Sequence, residues 1–174
     1  MERITTIRAD IVGSGDIAHA VSEISPTNKL FFCSGVSNSG EINEAEYQRE
    51  KDLLLSQDRS QHLVYFGSLC IFFSQTRYAQ HKKEMEDLVK ENFEHYTIMR
   101  IGNIDWGVNP HTIINYFRGK SKEGEPLEIQ DAYRYIVSKE EFRYWLGAIP
   151  EFNCEMNLTG RRMKVSEIVE EYVK

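Results

Sequence analysis

Apolar residues recur along this 174-residue chain in two rhythms, short unbroken runs and stripes at helical spacing. The runs at 9–12, 29–33, 62–66 and 96–101 are brief, rich in Ile, Leu, Val, Phe and Tyr, and bounded by small or polar residues. Such runs predict strands buried on both faces of a sheet. Between them the spacing predicts helices over 19–24, 41–57 and 78–93. The first stops at Pro26, the second carries Ile42, Ala45, Leu53 and Leu54 among charged residues, and the third carries Met85, Leu88 and Val89. Further along, 112–117 and 165–173 predict helices, and 126–129 and 133–137 predict short strands. Strands alternating with helices give a Rossmann-like parallel α/β sheet with helices on both faces, joined by right-handed crossovers, because parallel strands cannot be joined by tight turns.

Composition narrows this picture. At 41% hydrophobic and 28% charged residues, the chain can bury one core, so a single domain over 1–174 is expected. The net charge is −6 and the 21 basic residues are scattered, which excludes the basic stripe that a nucleic-acid backbone requires. No apolar run approaches the roughly 20 residues needed to span a bilayer, and the first six residues lack the apolar centre of a signal peptide. A cytoplasmic protein with no membrane partner is the expectation. Cys33, Cys70 and Cys154 are odd in number and sit in apolar stretches, as reduced side chains do. The five histidines do not cluster with them, so no metal site is expected.

Two patterns point to chemistry. Gly13-x-Gly15-x-x-Ala18 lies between a strand and a helix, where small residues let the backbone approach a pyrophosphate held by helix N–H groups. Small residues also serve a tight turn for its own sake. Tyr78 and Lys82 stand at i and i+4 on one helix face, where an ammonium can lower a phenol pKa toward neutrality and make a tyrosinate usable as a general base. Ten residues earlier Ser68 closes a strand, and strand carboxyl ends are where open α/β sheets bind ligands. A surface helix pair of no consequence is the competing explanation of Tyr78 and Lys82.

Leu63-Val64-Tyr65-Phe66-Gly67-Ser68 followed by Thr76-Arg77-Tyr78-Ala79-Gln80-His81-Lys82 resembles the active-site strand and helix of the extended short-chain dehydrogenases/reductases, the family of nucleotide-sugar epimerases, dehydratases and reductases. Arg100-Ile101-Gly102-Asn103-Ile104-Asp105-Trp106-Gly107, Tyr133-Arg134-Tyr135-Ile136-Val137 and Met156-Asn157-Leu158-Thr159-Gly160 are similar to its later segments. The resemblance implies catalysis by Tyr78, Lys82 and Ser68, with NAD or NADP held by Gly13, Gly15, Ile17, Ala18, Ser34, Gly35 and Lys82. It further implies that Asn103 and Arg134 bind a nucleotide-sugar, Arg134 through its diphosphate. A cofactor-binding core over about 1–107, a substrate-binding portion over about 108–174, and a homodimer through the helices at 41–57 and 78–93 also follow from it.

The chain departs from this family in its front half. Only eleven residues separate Ala18 from Leu30, where the family places a helix and two further strand units. The residue that grips the adenosine ribose therefore has no bearer. The family's glycine pattern also fits Val12, Gly15 and Ala18, with two of three glycines replaced, and Phe72-Phe73 stands where the family has Tyr-Gly. Epimerase, reductase and dehydratase activities all remain open. So does a truncated, non-catalytic member that binds a nucleotide-sugar or a partner.

Overall fold

The computed structural model describes residues 10–24 and 28–174, so Ala9 of the first predicted strand lies outside the described residues. Five parallel strands form the main sheet, in the order β1 (Asp10–Val12), β2 (Leu30–Phe32), β3 (Leu63–Ser68), β4 (Tyr96–Ile101) and β7 (Cys154–Leu158). A smaller sheet joins β5 (Asn103–Ile104), β6 (Tyr133–Val137) and β8 (Arg161–Lys164). The helices are α1 (Asp16–Ser22), α2 (Glu44–Leu55), α3 (Arg77–Asn92), α4 (Ile113–Lys122), α5 (Lys139–Gly147) and α6 (Val165–Tyr172), with one 3-10 turn at Leu69–Phe72.

Side-chain alternation divides the core between the two faces of the sheet. Phe31, Val64, Phe66 and Met99 point to one face, where Ala20 and Val21 of α1 and Phe142 of α5 cover them. Leu30, Phe32, Leu63, Tyr65 and Ile98 point to the other, beneath Leu54 of α2 and Met85 and Val89 of α3. Caps fix where these helices start: Asn43 Oδ1 accepts from the Ala45 N–H at 3.0 Å, and Thr76 Oγ1 accepts from that of Ala79 at 3.2 Å. Ile114, Ile136, Met163 and Ile168 form a separate small core that joins α4 and α6 to the second sheet.

The winding differs from expectation. From β1 to β4 every step along the sheet runs in the same direction, yet α1 covers one face while α2 and α3 cover the other. For parallel strands, face and direction together determine hand. The β1–α1–β2 unit is therefore opposite in hand to β2–α2–β3 and β3–α3–β4, and the three cannot all obey the right-handed rule. With no turn-back in strand order, β1 is an edge of the sheet among the described residues.

Three further differences concern single elements. Residues 126–129 form no strand; Pro126 starts an irregular stretch that leads into β6. The fourth helix continues to Lys122 rather than stopping at Phe117. In addition α5, β7 and β8 fill the stretch between the predicted strand at 133–137 and the last helix.

Candidate active site

The carboxyl ends of β2, β3 and β4 open onto a cleft of about 1100 Å³. Gly15, Ile17, Ser34, Gly35, Ser68, Tyr78, Lys82, Asn103 and Arg134 all line it, so the structure brings together nine of the eleven residues proposed from the sequence. The other two do not line it. Ala18 is on the buried face of α1. Gly13, at φ +121°, carries the turn so close to β2 that a Cβ would stand 2.7 Å from the Cys33 carbonyl, and only glycine fits there.

The Tyr78–Lys82 pair is no idle surface pair. Lys82 is 3% exposed and lies with Ala79, Met85 and Val89 on the buried face of α3. Its Nζ stands 5.4 Å from the centre of the Tyr78 ring and 5.7 Å from that of Tyr65. Burial pushes the Tyr78 phenol above its ordinary value while the Lys82 ammonium works against that rise. The i, i+4 spacing led to the expectation that the ammonium prevails, but burial outweighs it. Ser68 Oγ accepts from the Cys70 N–H at 3.2 Å, which fixes the hydroxyl at the start of the 3-10 turn with its own hydrogen free to donate.

The substrate-side residues are partly engaged. Asn103 Nδ2 donates to the Tyr135 carbonyl at 3.4 Å, and Arg134 donates to the Tyr133 carbonyl at 2.9 Å and to Gln130 Oε1 at 3.3 Å. Phe72 and Phe73 are 60% and 66% exposed, and Phe73 reaches the cleft wall.

Two carboxylates beside the cleft escaped the sequence reading. Glu50 is 0% exposed and accepts from four groups: Val36 N–H at 2.8 Å, His81 Nε2 at 2.8 Å, Tyr65 OH at 3.2 Å and Lys82 Nζ at 3.5 Å. Burial alone would raise its pKa, but Lys82, His81 and the Val36 N–H together hold the carboxyl at about 2. Tyr47, Glu50 and Leu54 occupy i, i+3 and i+7 of α2, so a charge at a core position was the available signal.

Asp16 is the second. At the first turn of α1 its two oxygens accept from the Val108 N–H at 3.0 Å and the Asn109 N–H at 2.9 Å. Gly107 takes φ +93° there, and a Cβ on it would collide with the carboxylate. The glycine turn is thus latched to the loop that follows β5, and no spacing in the sequence announces it.

Among the described residues no group of His, Cys, Asp and Glu could hold a metal ion. Among the same described residues no helix is long and apolar enough to cross a membrane. The three cysteines are unpaired, and burial pushes the Cys33 thiol up to about 12.

No family model and no curated protein matches the sequence. Solved structures do match the fold. UDP-N-acetylglucosamine 4-epimerase from Methanobrevibacter ruminantium, in complex with UDP-N-acetylmuramic acid, shares 15% identity at a TM-score of 0.62, over 83% of this chain and 59% of that one. UDP-glucose 4-epimerase from Thermus thermophilus, in complex with NAD, shares 14% identity at 0.60, over 87% and 62%. The dTDP-4-dehydrorhamnose reductase from Bacillus anthracis, in complex with NADP, shares 15% at 0.58, over 87% and 64%. The chain thus has the fold of the extended short-chain dehydrogenases/reductases and spans about 60% of the length of these proteins.

Proposed function

We propose that this chain binds NAD or NADP and acts on a nucleotide-linked sugar, as an epimerase, reductase or dehydratase. The observation that carries the reading is the convergence of Ser68, Tyr78 and Lys82 with Asn103 and Arg134 on one cleft at the strands' carboxyl ends. Structural neighbours that are epimerases and reductases of nucleotide sugars, two of them solved with a nicotinamide dinucleotide, support it. The residues fit the nicotinamide end of such a cofactor. Lys82 Nζ lies 3.0 Å from where a Cβ on Gly35 would stand, so this glycine leaves the ammonium open to a ribose at the cleft floor. Ser34, Gly15 and Ile17 continue the wall toward the turn held by Gly13 and Ala18.

Nicotinamide, when bound, supplies the acceptor and donor of a hydride. The chain's own residues handle the proton. Tyr78, as the phenolate that the Lys82 ammonium stabilises, accepts the proton of the sugar hydroxyl at Oη and returns that proton when the carbonyl is reduced. Ser68 Oγ–H orients that oxygen. Asn103 and Arg134 hold the substrate, the guanidinium through a diphosphate. The same roles place the cofactor-binding core at about 1–107 and the substrate-binding portion at about 108–174. The reading takes the protein to be a soluble enzyme of the cytoplasm, a homodimer that meets through α2 and α3.

Calorimetric titration with NAD⁺ and NADPH tests the reading. Binding tighter than about 1 mM is expected for one of them. No binding of either, with or without a UDP- or dTDP-sugar, overturns it.

The end of the sheet at β1 and the Asp16 carboxylate at the glycine turn favour a second reading, a non-catalytic protein that binds a nucleotide-sugar or a partner. An adenosine ribose has no strand beyond β1 to rest on among the described residues. Affinity for the sugar nucleotide alone would support this alternative.

A further inference from the structure

A buried charge cluster sits directly behind the cleft, and apart from Lys82 it has no part in the scheme above. Glu50 receives its four donors from three elements: the Val36 loop after β2, Tyr65 on β3, and His81 and Lys82 on α3. The ring of Tyr47 closes the cluster, 4.5 Å from that of His81. With Nε2 bonded to the carboxylate, His81 keeps Nδ1 buried without a partner. The imidazole thus spends one nitrogen to hold Glu50 and leaves the other unsatisfied.

Packing gives no reason for a carboxylate here. An apolar side chain at 50 would sit between Tyr47 and Leu54 on the core face of α2 without desolvating a charge. Exchanging both members of a buried ion pair for apolar residues is often neutral or stabilising, so stability alone does not require the Glu50–Lys82 pair. A carboxylate gives the buried Val36 N–H, His81 Nε2 and Tyr65 OH an acceptor, and beyond that it acts on Lys82, whose ammonium also reaches the cleft. Two of its four bonds, to Val36 and His81, hold the carboxylate itself in place and leave Oε1 facing the ammonium.

We propose that Glu50 is a positioning residue for Lys82, fixing the ammonium at the cleft floor and setting how strongly it acts on the Tyr78 phenol. The proposal rests on the roles given to Tyr78 and Lys82 above. Because Glu50 neutralises the ammonium, the Tyr78–Lys82 pair carries no net charge to spare and holds its protons tightly. The other groups that face the pair are Tyr47 on α2, Tyr65 on β3 and Cys70 in the 3-10 turn, with His81 beside Lys82 on α3. None of them is an anion at neutral pH, and the carboxylate of Glu86, one turn along the buried face of α3, is paired with Arg100, so Glu50 is the anion that meets the Lys82 ammonium.

The test needs no cofactor, so its outcome is separate from that of the NAD titration. The first deprotonation of the coupled pair is followed at Tyr78 by phenolate absorbance, as the difference from a Tyr78→Phe protein, and at Lys82 by the NMR shift of its ε-carbon. In Glu50→Gln this step is expected to fall by about one pH unit or more, because a proton then leaves a cluster with one more positive charge. Glu50→Asp, which keeps the charge but shortens its reach, is expected to show a smaller fall, and it decides the matter if Glu50→Gln does not fold. A purely packing role would lower the melting temperature of the variants and leave the titration unmoved. An unmoved or raised titration in a folded variant overturns the proposal.

Discussion

Tyr78 is half-buried at the start of α3 and Lys82 is buried one turn on, and their depth decides what a substitution does. Tyr78→Phe keeps the ring and its packing and removes only the ionisable hydroxyl. Turnover of a nucleotide-sugar is expected to fall about 100-fold or more in steady-state kinetics, with ligand affinity and melting temperature nearly unchanged. Glu50 makes a prediction about stability. Its folded-state pKa of about 2 lies below the ordinary 4.5, so the stability it contributes is present above about pH 4.5 and is lost as pH falls toward 2. Glu50→Gln is expected to cost about 3 kcal/mol at pH 7, by leaving Lys82 uncompensated, and the gap in urea midpoints should close over that window. At this scale spacing put Tyr78 and Lys82 on one helix face and Ser68 at the end of a strand, and the family resemblance joined the three into one expected site. Glu50 stayed hidden because its helix is crowded with charges, and only its register against Tyr47 and Leu54 marks it as the one that points inward.

Helices and loops were legible wherever their cues were local. The stripes of α2 and α3 and the glycine turn before α1 all follow from spacing and small residues. Helix α5 had cues that went unread: Ser138 followed by Glu141, then Phe142, Leu146 and Ile149 at helical intervals. The latch between Asp16 and the Val108–Asn109 loop is different, because its partners stand 92 and 93 positions apart and meet only after the sheet forms. Asp16→Ala removes both acceptors, and faster amide hydrogen exchange at Val108 and Asn109 is the expected result, with exchange in β3 and β4 unchanged. Equal protection at Val108 and Asn109 in parent and variant would show that other contacts hold the loop.

For the molecule as a whole, the parallel sheet and its two covered faces could be read from alternating runs and stripes, since burial on both sides leaves unbroken apolar segments such as Leu30-Phe31-Phe32. Hand could not, because it depends on which face receives α1, and a helix of seven residues with apolar positions at Ile17, Ala20 and Val21 suits either face. The consequence of this winding concerns the far side of β1. With α1 on the face away from α2 and α3, the first helix sits where it would in a sheet that reverses direction at β1, so strand units placed beyond that edge would give β1 and α1 an ordinary right-handed crossover.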